Sequence, residues 1–224
     1  DADGTIHYFR NEINENNNII ENQFVDEDGL KLTATKEENQ ITIKDMDNNK
    51  YIFTLNNNIY YLTKLMNTSN DTVTITYDSN NRINKITDAN NSNINITYNA
   101  NDMIITSDST TTTMNFNNNQ ISSIVTKNGT TSFTYNNNGL IEKITDTNGL
   151  SKSFNYYEVS PYKVKKVVEY GLNNEEGASL EFIYDFMSTK VVNNKGKQLI
   201  YSFNLIGNTI GVSNLTEEVN LSDA

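Results

Sequence analysis

The stretch 133–149, "FTYNNNGLIEKITDTNG", decides the fold, because 75–91, "ITYDSNNRINKITDANN", matches it position for position. Each begins with a short run in which alternate residues are apolar: Ile75 and Tyr77, or Phe133 and Tyr135. That alternation places them on one face of a strand. Asn and Gly follow, the residues that best tolerate the left-handed backbone of a tight turn. A second apolar run comes next, "RINKIT" or "LIEKIT". Its isoleucines stand three apart, at 83 and 86 or 141 and 144, so simple alternation fails there and a bulge or a change of facing is expected.

The pattern recurs outward from these two copies. Aromatic residues precede Asn-rich turns at Tyr77, Tyr98, Phe116, Tyr135 and Tyr156, with Phe53 upstream and Tyr184 and Phe203 downstream after one longer interval. Thr fills the alternating positions and suits the pleated surface of an antiparallel sheet. Each unit therefore reads as a hairpin of two short strands, about 20 residues long. "YKVKKVVEY" (162–170) comes nearest to a helical period, but its β-branched residues favour a strand. The expectation is an all-β chain: one continuous antiparallel sheet of repeated hairpins across 1–224. Lead-in strands would occupy 1–72, regular repeats 73–157 and diverged repeats 158–224, with Pro161 marking the loop between the last two.

Composition narrows the function. The net charge of −11 opposes nucleic acid and anionic membranes, both of which require a basic patch. No apolar run is long enough for membrane insertion as a helix. The absence of Cys excludes disulfides and thiolate metal sites. Roughly 40 asparagines could mark a disordered tract, but they cluster in twos and threes between the apolar runs, as turns do. "DADGTIHYF" has no initiator Met or leader, and reads as the middle of a longer protein. The acidic run 11–29 reads as a solvated excursion between strands.

Candidate chemistry is sparse. His7 is the only histidine, and a general base also needs an orienting partner and a pocket. Carboxylate pairs occur at 1–4, 26–29 and 45–49. The last places Asp45, Asp47 and Asn49 at the first three ligand spacings of a calcium loop. However, Lys50 stands where a Gly is needed and Asn56 where a bidentate Glu is needed, so an Asp-Asn turn is the stronger reading. No nucleophile motif occurs. Neither an enzyme nor a cofactor is expected. The recurrent aromatics read as a row tying neighbouring hairpins together, or as a stacking platform for sugars.

"ITYDSNNRINKITDANN" resembles the YD repeat: an aromatic-x-Tyr-Asp strand, a Gly or Asn turn, Arg, an aliphatic, then xxIT-D-x-x-G. The opening and closing segments resemble the RHS proteins of Gram-positive bacteria, wall-associated proteins among them. The resemblance makes Tyr77, Asp78, Tyr98, Phe116, Tyr135, Gly139, Gly149, Tyr184, Phe203 and Gly207 the repeat-signature positions. The Asp is kept at Asp78 and Asp185 but is Asn at 99, 117 and 136, and the Arg at 82 is replaced by Gln120 and Leu140. Such swaps preserve turns and lose charge, which marks the motif as architectural. The family's repeats coil into a spiral of β-sheet that closes into a hollow shell; in polymorphic toxins the shell encloses a C-terminal toxin domain. The resemblance thus implies a curved shell segment or half-barrel of a secreted, cell wall-associated bacterial protein. Contact-dependent inhibition of neighbouring cells is the implied role. Its partners would be the rest of its own polypeptide, further repeats and a toxin. The alternative is an adhesion module for carbohydrate on cell walls. The paired Asp-Pro motifs of the family's self-cleaving core terminus are lacking, since Pro161 follows Ser.

Overall fold

The structure, a computed structural model, describes residues 6–215. The carboxylates at 1–4 lie outside them. All twenty strands belong to one antiparallel sheet, and no helix occurs among the described residues. The chain divides into two compact units, residues 1–99 with 103–111, and 100–102 with 112–224.

The first unit carries β1 (Phe9–Ile13), β2 (Ile19–Asp26), β3 (Thr33–Glu37), β4 (Gln40–Lys44), β5 (Lys50–Asn56), β6 (Ile59–Met66), β7 (Thr72–Tyr77), β8 (Ile83–Thr87), β9 (Asn93–Tyr98) and β10 (Asp102–Ser107). Each strand pairs with the next, as in a meander. The second carries β11 (Thr110–Asn117), β12 (Gln120–Thr126), β13 (Gly129–Tyr135), β14 (Ile141–Thr145), β15 (Ser151–Tyr156), β16 (Val164–Tyr170), β17 (Glu176–Tyr184), β18 (Ser188–Asn193), β19 (Gln198–Phe203) and β20 (Thr209–Leu215), again paired in chain order.

Within each unit the apolar side chains line up across the strands. Ile75 sits opposite Ile86, which sits opposite Ile94; Phe154 sits opposite Val167, which sits opposite Leu180. These cross-strand rows are the packing unit of a sheet. Burial is shallow. Only Ala34, Ile75 and Val168 are buried apolar residues among those described, and no side chain is fully enclosed. Backbone ladders and turn geometry therefore carry an unusual share of the order.

One expectation is corrected. Residues 11–29 are mostly strand rather than a solvated excursion: β1 and β2 fill 9–13 and 19–26, joined by a turn at Asn14–Asn18. The ladder bonds use backbone groups, so a strand flanked on both sides forms even where Glu and Asn dominate its side chains.

Candidate functional site

The turns account for the asparagines. Among the described residues, eleven of the fourteen non-Gly residues with positive φ are Asn. Nine loops among the described residues share one construction, starting at Asn14, Asp45, Asn67, Asp78, Asp88, Asn136, Asp146, Asn193 and Asn204. In each, the first residue's side-chain oxygen accepts the N–H groups two and four residues on, and its backbone carbonyl accepts the N–H of the fourth residue. The fourth residue is left-handed: Asn81 at φ 60°, Gly139 at 75°, Gly149 at 85° and Gly207 at 85°. Only the oxygen of Asp or Asn is needed, so Asn136 does what Asp78 does without the charge.

The calcium candidate is one of these nine turns. Asp45 Oδ1 accepts the N–H groups of Asp47 and Asn49, and Oδ2 accepts Asn49 Nδ2 at 2.9 Å and the Tyr51 hydroxyl at 3.3 Å. These bonds, led by the Asn49 side chain, hold its pKa below the usual 3.8 against the opposing effect of desolvation. At 26–29 the Asp26 carboxylate likewise gathers the N–H groups of Asp28, Leu30 and Leu32. His7 Nδ1 lies 3.3 Å from Asp28 Oδ2, which also accepts the Tyr8 N–H at 2.9 Å.

The signature aromatics end the first strand of their hairpins, and the expected bulge is present opposite many of them. Tyr77 pairs with Ile83 and Thr76 with Lys85, leaving Asn84 as the extra residue. Thr63, Ser122, Glu142, Lys165 and Ile210 are extra in the same way, opposite Phe53, Phe116, Tyr135, Tyr156 and Phe203. The bulge lets two residues three apart share the apolar face. The extra side chain turns to the other face, where Asn84 Oδ1 accepts the Thr76 hydroxyl at 2.7 Å and Thr63 meets Thr54 at 2.8 Å.

A bulge also ends the ladder to the following strand early. Pairing of β16 with β17 stops at Lys166 and Glu181, leaving Val164 unpaired on that side. Here the tyrosines act. Tyr184 donates its hydroxyl to the Val164 carbonyl at 2.9 Å. Tyr77 donates to Leu62, Tyr98 to Ile83, Tyr135 to Ile121 and Tyr156 to Ile141, at 2.7–2.9 Å. Each acceptor immediately precedes the extra residue of the preceding hairpin, and each tyrosine stands three residues beyond the last paired position of its strand. A carbonyl loosened by the bulge is thereby satisfied. Phe53, Phe116 and Phe203 follow the hairpins β3–β4, β9–β10 and β17–β18, whose registers run without a shift.

The residue before each acceptor covers the tyrosine ring in three cases. Arg82 lies 4.1 Å from the Tyr98 centroid while its Nε and Nη2 hold Asp78 Oδ2; Lys163 lies 4.8 Å from Tyr184; Tyr61 lies 5.1 Å from Tyr77. Desolvation, and then the neighbouring Tyr61 or Tyr157, raises the hydroxyl pKa of Tyr77 and Tyr184 above 10.0, and desolvation alone raises that of Tyr156.

The sequence reading did not single out the hairpin tips of the second unit. Val159, Phe186, Leu205 and Ile206 are 78–87 % exposed on the β15–β16, β17–β18 and β19–β20 tips, more than Leu172 at 70 % and Met46 at 63 % on other tips. A half-open groove of about 410 Å³ lies between Ile144, Leu150, Lys152, Glu169 and Tyr170, with Lys152 and Glu169 paired at 3.0 Å.

No family model matches the chain, and no curated protein matches it. Among solved structures, the Tc holotoxin pore of Photorhabdus luminescens is similar over 92 % of this chain at 10 % identity and a TM-score of 0.49. This chain spans 14 % of that one. A porin-like protein from Bacteroides uniformis is similar over 76 % of this chain and 58 % of its own, at 10 % identity and a TM-score of 0.25. Neither likeness is close enough to carry function across.

Proposed function

We propose that this chain is a non-catalytic wall segment of a larger, secreted bacterial RHS-type β-sheet protein that encloses or presents a C-terminal toxin domain. The observation that carries this reading is the use of the signature groups: Asp78 closes its own turn, and the signature tyrosines bond to the preceding hairpin. Residues so engaged build a wall and leave no reactive group directed at a substrate. Fully satisfied backbone bonding, strand to strand, is what a thin wall with little core requires. Enclosure of cargo, curvature of the wall and secretion follow from the family resemblance.

A second reading, adhesion to cell-wall carbohydrate, is favoured by the exposed tips, of which Phe186 is the most open aromatic. Limited proteolysis of the full parent polypeptide separates the two. The shell reading expects a C-terminal region that resists protease while the sheet is folded and becomes cleavable once it unfolds. A freely cleavable C-terminal region would overturn it, as would saturable binding of peptidoglycan fragments by this chain that is lost in Phe186→Ala.

A further inference from the structure

Three hairpins of the second unit end differently from the two before them. In a meander, alternate turns fall at the same end of the strands, so the β11–β12, β13–β14, β15–β16, β17–β18 and β19–β20 tips form one row, spaced about 10 Å apart. The first two tips carry Asn118 and Asn119, then Asn136, Asn137 and Asn138. The last three project Val159, Phe186, Leu205 and Ile206 into water.

Three features bear on what covers these side chains. They stand on separate fingers, and a fluid lipid surface accepts isolated protrusions, whereas a protein partner needs a matching pocket for each. The turns also bond within themselves: the Phe186 N–H donates to Asp185 Oδ1 at 2.7 Å, the Ile206 N–H to Asn204 Oδ1 at 3.1 Å and the Tyr162 N–H to the Val159 carbonyl at 2.9 Å. Backbone groups so satisfied leave water at little cost. Behind the tips lies a belt of amphipathic side chains. The Tyr157 and Tyr184 rings meet at 6.0 Å, with Lys165 over the first at 5.8 Å and Lys163 over the second at 4.8 Å. Tyr and Lys suit the headgroup level, where a ring or an aliphatic stem is half-wet. Glu158 and Asp185 balance these two lysines on a chain of net charge −11, which favours zwitterionic over anionic headgroups.

We propose that the β15–β16, β17–β18 and β19–β20 tips are a peripheral docking edge for a zwitterionic lipid surface. Val159, Phe186, Leu205 and Ile206 dip to the acyl boundary, while Tyr157, Tyr184 and the two lysines stay among the headgroups. The sheet itself remains outside the bilayer. This role goes beyond the wall reading and requires neither an enclosed domain nor a carbohydrate ligand.

The test uses the whole chain and phosphatidylcholine vesicles. The chain has no Trp, so Phe186→Trp supplies a single reporter. Its emission should shift to the blue on adding vesicles and be quenched by lipids brominated along the acyl chain. The unsubstituted chain should float with the vesicles equally well at low and high salt, because apolar burial carries the binding. Adding phosphatidylglycerol should weaken it. Phe186→Ser combined with Leu205→Ser should lower partitioning about tenfold or more. Leu172→Ser, on a tip at the other end of the strands, should leave it unchanged. Far-UV circular dichroism, expected to be the same for every variant, separates lost binding from lost folding. A Trp that stays in water, flotation indifferent to the double substitution or dependent on anionic lipid, or self-association through the tips in place of vesicle binding would each overturn the proposal.

Discussion

Hairpins β15–β16 and β17–β18 are neighbours with the same strand pattern, yet they hand the chain on differently. The first carries the extra residue Lys165, its ladder to β17 ends at Lys166 and Glu181, and Tyr184 bridges to Val164. The second has no extra residue: Tyr184 pairs with Thr189, the ladder to β19 runs from Val192 to Ser188, and the Phe203 N–H continues it to the Met187 carbonyl at 2.8 Å. Where the backbone closes the junction no hydroxyl is needed, and Phe suffices. Where a bulge parts the strands, the side chain takes over the backbone's work. Tyr and Phe at the signature position are therefore two solutions to one hydrogen-bonding requirement.

Deleting Lys165 strikes hardest at that difference. Without it, Val164 and Val167 stand two apart and share the apolar face of a regular strand, so the ladder to β17 should extend past Lys166 and Tyr184→Phe, made in that background, should cost almost nothing in urea unfolding. A cost of Tyr184→Phe undiminished by the deletion would mean that the bulge does not create the need for the hydroxyl. Tyr184→Phe should cost about 1 kcal/mol, since it strands the Val164 carbonyl while keeping the ring. Hydrogen exchange should show the opening to be local to the β16–β17 junction; a uniform rise across the second unit would contradict the bridging role.

The same hydroxyl gives a pH signature. Its pKa stands above 10.0, raised by desolvation and then by Tyr157, so the protonated group's stabilisation is intact below pH 10. It is lost as pH rises through the elevated value. Between pH 9 and pH 12, Tyr184→Phe should flatten the decline in stability, and parallel curves for variant and parent would remove Tyr184 from the account. Lys163→Ala, which uncovers the Tyr184 ring, should cost about 0.5 kcal/mol. Smallest of all, Phe203→Tyr should change stability by less than about 0.5 kcal/mol, because an unshifted junction offers the new hydroxyl no loosened carbonyl. A gain comparable to the loss in Tyr184→Phe would erase the distinction between the two junctions.

Much of the fold was legible in the sequence because its signals are local. The Asx oxygen of Asp78 acts on residues two and four positions away, and Asn81 adopts its left-handed conformation within the same loop. The three-residue spacing of Ile83 and Ile86 announced the bulge. Less visible was that the motif's aspartate position hides different turns. Asn117 starts a two-residue turn through Asn118 and Asn119, and Asp185 a short one closing on Ser188, whereas Asn136 keeps the five-residue form of Asp78. Residues 11–29 misled because acidic and amide side chains conceal a strand whose backbone is held from both sides.

The sequence by itself determined the all-β class, the hairpin period and the turn positions, since these depend on backbone preferences and alternation over a few residues. Only the tertiary structure decided what the signature tyrosines are for. Their acceptors lie 14–20 residues earlier in the chain and are identified only once register and bulge are both in place. A hydroxyl and a carbonyl so far apart in sequence meet through strand pairing, which no short motif records.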